Sequence, residues 1–145
     1  MATPTILTVR ALLGLHRAFN SLDAVRSGKD EIVILEFSGS TRAKIMANFA
    51  ELEAIKEIHD ATDRALAKQH GVVAGMDENA ENGARLDAYR RALIDAANET
   101  REVHLHRIAL SALLNKPGDG KTIRLNPVPQ SVLNLLTPIL DYDVE

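Results

Sequence analysis

The stretch from Ser40 to His70 constrains the fold more than any other part of the chain. Ile45, Phe49, Leu52, Ile55, Ile58, Thr62, Ala65 and Leu66 recur every three or four residues, while Lys44, Glu51, Glu53, Lys56, Glu57, Asp60 and Lys68 fill the other faces. That period predicts one amphipathic helix, with Ser40 or Thr41 as its N-cap and Gly71 as its stop. At 1.5 Å per residue it would reach about 45 Å, longer than a small globule is wide, so it needs a partner along its length. The natural partner is a second helix from about Asn82 to Thr100, whose stripe is Leu86, Tyr89, Leu93, Ala96 and Ala97. Folding it back across the loop from Val72 to Gly83 makes an antiparallel helical hairpin.

Composition says how such a hairpin can be packed. Aromatic residues make up only 3% of the 145-residue chain, and Phe19, Phe37, Phe49, Tyr89 and Tyr142 are the full set. The core must therefore be built from Leu, Ile, Val and Ala, which suits close helix-on-helix packing. Phe19, Phe37, Phe49 and Tyr89 fall one to each main element and are expected to meet at the base of the hairpin. The tip, residues 72–83, then rests on small side chains and is the least stable part. The length corresponds to a single domain over residues 1–145.

Short elements flank the hairpin. A helix is expected from about Thr8 to Val25, and Arg26-Ser27-Gly28-Lys29-Asp30 reads as a turn. Glu31 to Phe37 is a β-branched strand ending at Ser38-Gly39-Ser40, and Glu102 to Ile108 alternates polar and apolar as a half-buried strand does. Pairing these two strands would tie the base of the hairpin to a small sheet. Ser111 to Asn115 reads as one helical turn, Pro117 to Gly120 as a turn, Thr122 to Leu125 as a third strand and Gln130 to Leu136 as a closing helix. The acidic segment 141–145 is expected to fray. The expected class is α+β: a long antiparallel helical hairpin, a small β-sheet at its base and short flanking helices.

Several functions are excluded by residue content. Without cysteine there is no disulfide, no thiolate nucleophile and no Cys-based metal site. Apolar runs such as Ile32 to Leu35 are far shorter than the roughly 20 residues of a membrane span. No basic-then-apolar leader opens the chain, so a cytoplasmic location is expected. With 17 basic against 20 acidic residues the chain has no generic nucleic-acid-binding charge.

Two patterns carry chemistry. Phe37-Ser38-Gly39-Ser40-Thr41-Arg42-Ala43-Lys44 leads from strand to helix start, where free backbone N–H groups and Ser40, Thr41, Arg42 and Lys44 can hold a phosphate. The Gly-Lys-Ser/Thr ending of a P-loop is absent, and the same residues also read as an N-cap beside two solvated cations. His104 and His106, two apart, would share one face of a strand with Glu102 as a secondary ligand-binding pair, yet no third metal ligand is evident. No metal or other cofactor is therefore expected. His16, His59 and His70 read as surface or boundary histidines. No Gly-x-Ser-x-Gly elbow occurs, and the carboxylates are spread over helix faces, so the chain is not expected to be an enzyme. A buried acid/base pair would reopen that question. Ala84, Ala88, Ala92, Ala96 and Ala97 permit close helix approach, within the hairpin or to a partner.

The order of segments resembles small uncharacterised proteins of tailed phages and prophages. The likeness is carried by Thr8-Val9-Arg10-Ala11-Leu12-Leu13, by the Lys/Ala-rich helix Arg42 to His70, by the Val-x-Leu-x-x-Ile strand Val103 to Ile108, and by the closing helix Gln130 to Leu140. The segment around Gly28 and the insertion Pro117 to Leu125 depart from that layout. The resemblance implies a non-catalytic accessory protein in the host cytoplasm that inhibits a defence system by sequestering a nucleotide signal or a protein. The alternative it implies is an assembly chaperone or virion-associated protein. Helix length adds the expectation of a homo-oligomer.

Overall fold

The computed structural model describes residues 2–22, 24–26, 32–117 and 125–143. Its first element is a strand. β1 (Thr3–Thr8) is rich in β-branched residues and carries Pro4, which lacks the N–H needed inside a sheet but is tolerated on an edge. β1 runs directly into α1 (Val9–Ser21): the Thr8 side chain accepts a hydrogen bond from Ala11 N at 3.1 Å as the N-cap. α1 buries Leu12, Leu15, Ala18 and Phe19 and forms the centre of the core. It ends four residues before the expected Val25, because Ala24–Arg26 is a strand, β2, antiparallel to β3 (Ile32–Ile34). The turn expected at residues 26–30 lies, after Arg26, outside the described residues.

α2 (Gly39–Gln69) spans 31 residues, which at 1.5 Å each gives about 46 Å. It is stopped at Gly71, whose φ of 67° suits glycine and disfavours other residues. Its buried residues are Thr41, Ile45, Asn48 and Leu52, all in the N-terminal half. Phe49 and Ile55 pack against the core, but Ile58 is 53% exposed, so the apolar stripe read from the sequence is buried only over its first half. After the loop at residues 72–82 comes α3 (Gly83–Ala97), of which only Leu86 is buried. α3 meets the distal half of α2 where the Tyr89 hydroxyl bonds Asp63 and Arg85 lies beside Gly71. That hydrogen bond, with burial second, raises the Tyr89 pKa above its ordinary value. Tyr89 thus leaves the aromatic group expected at the base, where Phe19, Phe37 and Phe49 remain.

β4 (Thr100–Leu105) pairs antiparallel with β1, in the register Thr3↔Leu105 to Thr8↔Thr100. This corrects the expected pairing of Glu31–Phe37 with Glu102–Ile108. β1, contiguous with α1, occupies the place beside β4, while β3 finds its partner locally in β2. Period-2 alternation puts Val103 and Leu105 on the core side and leaves Ile6, Glu102 and His104 on the outer face. The chain closes through β5 (Ile108–Ala109), α4 (Leu110–Leu114), α5 (Gln130–Leu136), a 3-10 turn (Thr137–Ile139) and β6 (Leu140–Asp141), which runs parallel to β5. Leu125 makes an isolated bridge to Asn115, and the rest of the strand expected at 122–125 lies outside the described residues, as do residues 118–120 of the expected turn. The architecture is mixed helix and strand, an α+β arrangement.

Four polar side chains fix how these pieces meet. Asn48, fully buried, accepts from His106 N at 2.7 Å and donates to His106 O at 2.9 Å. Asn126 does the same for Glu36, at 3.0 and 2.7 Å, and also donates to Leu113 O. Within the acidic segment 141–145, Asp141 and Asp143 have partners, and residues 144–145 lie outside the described residues. Arg107 pairs with Asp141 at 2.6 Å, and Asp143 accepts from both the backbone N and the hydroxyl of Ser111. The Ser111 hydroxyl and then its N–H hold the Asp143 pKa below the usual carboxylate value.

Asn48→Ala would strand the His106 N–H and C=O without their partner, each a group whose burial unpaired costs about 1–3 kcal/mol. We expect a loss of roughly 2–4 kcal/mol in urea unfolding. A change within about 0.5 kcal/mol, the usual range for a surface substitution, would show that the clamp does not hold α2.

Candidate functional site

One recess lies between α1 and α2. Its wall on α1 is the stripe Arg10, Leu13, Arg17 with His16 beside it. Its wall on α2 is Lys56, His59 and Asp60, and Ala97 of α3 closes one end. The groove encloses about 360 Å³, enough for a small organic molecule. Arg10 and Arg17 are seven residues apart on one helix, two turns or about 10 Å. They also border a second recess of about 420 Å³ on the other flank of α1, floored by Gly14, Leu135 and Pro138. The helices approach closely there, since a Cβ on Gly14 would sit 3.2 Å from Leu135 Cδ2. A smaller cavity of about 30 Å³ below Val9 and Ile55 has room for little more than water.

The charges of the groove do not all remain free. Lys56 Nζ lies 2.6 Å from Asp60 Oδ2, an exposed i,i+4 pair. Their hydrogen bond is the leading cause of the raised Lys56 pKa and of the lowered Asp60 pKa. His16 is 7% exposed, stacked on Phe49 with ring centroids 4.8 Å apart, and its Nε2 lies 2.6 Å from Glu53 Oε2. Arg10 and Arg17 have no acceptor among the described residues. Once the pairs are set aside, two guanidinium groups give the groove a positive edge on a chain whose net charge is -3.

The helix start singled out in the sequence is arranged differently. The N-cap is Ser38, not Ser40 or Thr41: its hydroxyl accepts from Thr41 N at 3.2 Å, and its carbonyl accepts from Arg42 N at 2.9 Å. Thr41 is buried and its hydroxyl accepts from Ser38, while Ser40 Oγ lies 3.3 Å from Ser38 Oγ. Arg42 and Lys44 are exposed. His104 and His106 do not share a strand face. β4 ends at Leu105, and Asn48 draws the His106 backbone toward α2. Among the described residues no group of three His, Asp or Glu side chains is placed to hold a metal.

Sequence reading missed His16 as a buried residue. The signal was weak but present: His16 sits between Leu12, Leu15 and Phe19, inside the inward arc of its own helix. No family model, curated protein or solved structure matches the chain. No helix among the described residues is long and apolar enough to cross a membrane.

Ser38→Ala should cost about 1 kcal/mol in thermal or urea unfolding, as loss of an N-cap does, and Ser40→Ala should be nearly neutral. The reverse order would return the cap to the position read from the sequence.

Proposed function

We propose that this protein acts by binding, and that it captures a small anionic ligand in the groove between α1 and α2. The observation that carries this reading is the pair Arg10 and Arg17, without an acceptor among the described residues and at the rim of a recess with an apolar floor at Leu13 and Ala97. Guanidinium groups favour carboxylate and phosphate because their planar donors match two oxygens at once. The groove supports anion capture better than the Ser40, Thr41, Arg42 and Lys44 segment does, since the hydroxyls and two N–H groups there already serve the cap.

The resemblance to tailed-phage proteins supplies a setting. In it the protein is an accessory factor of the host cytoplasm that sequesters a nucleotide signal of a defence system, with no chemical step required. Calorimetry with adenosine monophosphate and cyclic adenosine monophosphate tests it. We expect binding of at least one, weakened about tenfold by Arg17→Ala, the scale of one lost charge-assisted hydrogen bond. Absence of binding, or binding unchanged by Arg17→Ala, would remove the proposal.

A second reading rests on the distal half of α2. We read α2 and α3 as an antiparallel hairpin, supported by Tyr89 on Asp63 and Arg85 beside Gly71. Ile58 and Ile94 on this arm are 53% and 50% exposed, which favours self-association or a structural partner, as an assembly chaperone would need. Light scattering across a concentration series should show a dimer or larger species that Ile58→Asp weakens. A monomer throughout would end the self-association reading.

A further inference from the structure

The imidazole of His16 is half used. An ionised carboxylate only accepts hydrogen bonds, so the contact with Glu53 selects the Nε2–H tautomer of the ring, in which Nδ1 carries an open lone pair. Among the described residues Nδ1 has no partner, yet no buried side-chain nitrogen or oxygen there lacks one, so Nδ1 retains access to solvent. His16 lines the groove toward α2 and not the recess toward α5. Its ring is held by Phe49 on one face and by Glu53 at Nε2, which limits rotation of the acceptor away from that position.

We propose that His16 is a specificity-determining residue of the groove, and that the ligand is a small amphiphilic anion whose apolar body carries an O–H or N–H donor near its anionic group. Hydroxy acids and nucleoside phosphates belong to this class. The inference rests on the anion-binding reading above and adds a requirement to it. Arg10 and Arg17 take the anion, and Leu13 and Ala97 face the apolar body. A ligand without the donor would strip water from Nδ1 and return nothing, which is how buried polar groups reject close analogues. Glu53 is a positioning residue: it fixes the tautomer and does not itself need to touch the ligand.

The test compares mandelate with phenylacetate, two acids that differ by one hydroxyl, by titration calorimetry on the full chain. Mandelate should bind about tenfold more tightly, the worth of one hydrogen bond. His16→Phe keeps a ring on Phe49 and should bring the two acids to within about twofold. Glu53→Ala, which frees the tautomer, should reduce the ratio, whereas Arg17→Ala should weaken both acids alike and leave the ratio intact. Equal affinities in the unaltered protein, or a preference that survives His16→Phe, would overturn the role of His16 while leaving anion capture standing. Failure to bind either acid would overturn the role of His16, and failure to bind the adenosine nucleotides as well would overturn both. Should His16→Phe not fold by circular dichroism, the ratio in the unaltered protein and in Glu53→Ala decides.

Discussion

The rotation of the long helix about its own axis is set by Asn48. One buried carboxamide meets both backbone groups of His106, and this exchange can form only when that face of α2 points at the end of β4. Everything else on α2 takes its direction from that choice. With 3.6 residues per turn, Ile45 and Leu52 fall on nearly the same side as Asn48 and enter the core. Phe49, Glu53, Lys56 and Asp60, at spacings of four, seven and eleven, form a neighbouring stripe that faces the flank of α1. A helix rotated by one residue would bring a different set of side chains to His16, and the groove would lose its pairing.

That stripe explains what could and could not be read beforehand. The long helix and its stop at Gly71 were legible because a three-to-four period and a glycine in the left-handed region are local signals. The second helix was legible for the same reason. Glu53, Lys56 and Asp60 were placed on the faces away from the apolar stripe, as charge at helical spacing normally is. Here they share a stripe with Phe49, and one of them meets a buried histidine on another helix. Nothing within α2 indicates His16, whose position depends on how α1 crosses it. The strand β1 was missed for a different reason. Pro4 discounts a strand, and only the edge position on β4 makes it acceptable. Once β1 takes that place, β3 is left to pair with β2 and the expected sheet cannot form.

Charge accounting narrows the chemistry of the groove. Asp60, the carboxylate that lines it, is matched by Lys56, and Glu53 is matched by His16. Of these two pairs the exposed one, Lys56–Asp60, contributes little to stability, because solvent screens it and side-chain entropy opposes it. Their effect here is to remove competing acceptors. Neither carboxylate is left free to draw Arg10 or Arg17 across the groove, so both guanidinium groups stay at its rim.

The two ends of α2 therefore follow different physics. Up to Leu52 the helix is fixed by burial, by the Asn48 clamp and by the Ser38 cap. Beyond it α2 has no fully buried residue, and α3 supplies only Leu86 to the interior. Scarcity of large aromatic side chains makes this division sharp. Three phenylalanines serve the base, and the arm is left with Tyr89, which contributes a hydrogen bond to Asp63 more than it contributes burial. The groove sits at the junction between the two regimes, with His16 on the rigid side and Lys56, His59 and Asp60 leading into the arm. A ligand held there would contact both parts, and its binding would be coupled to order in the arm through the first turns of α2 beyond Leu52.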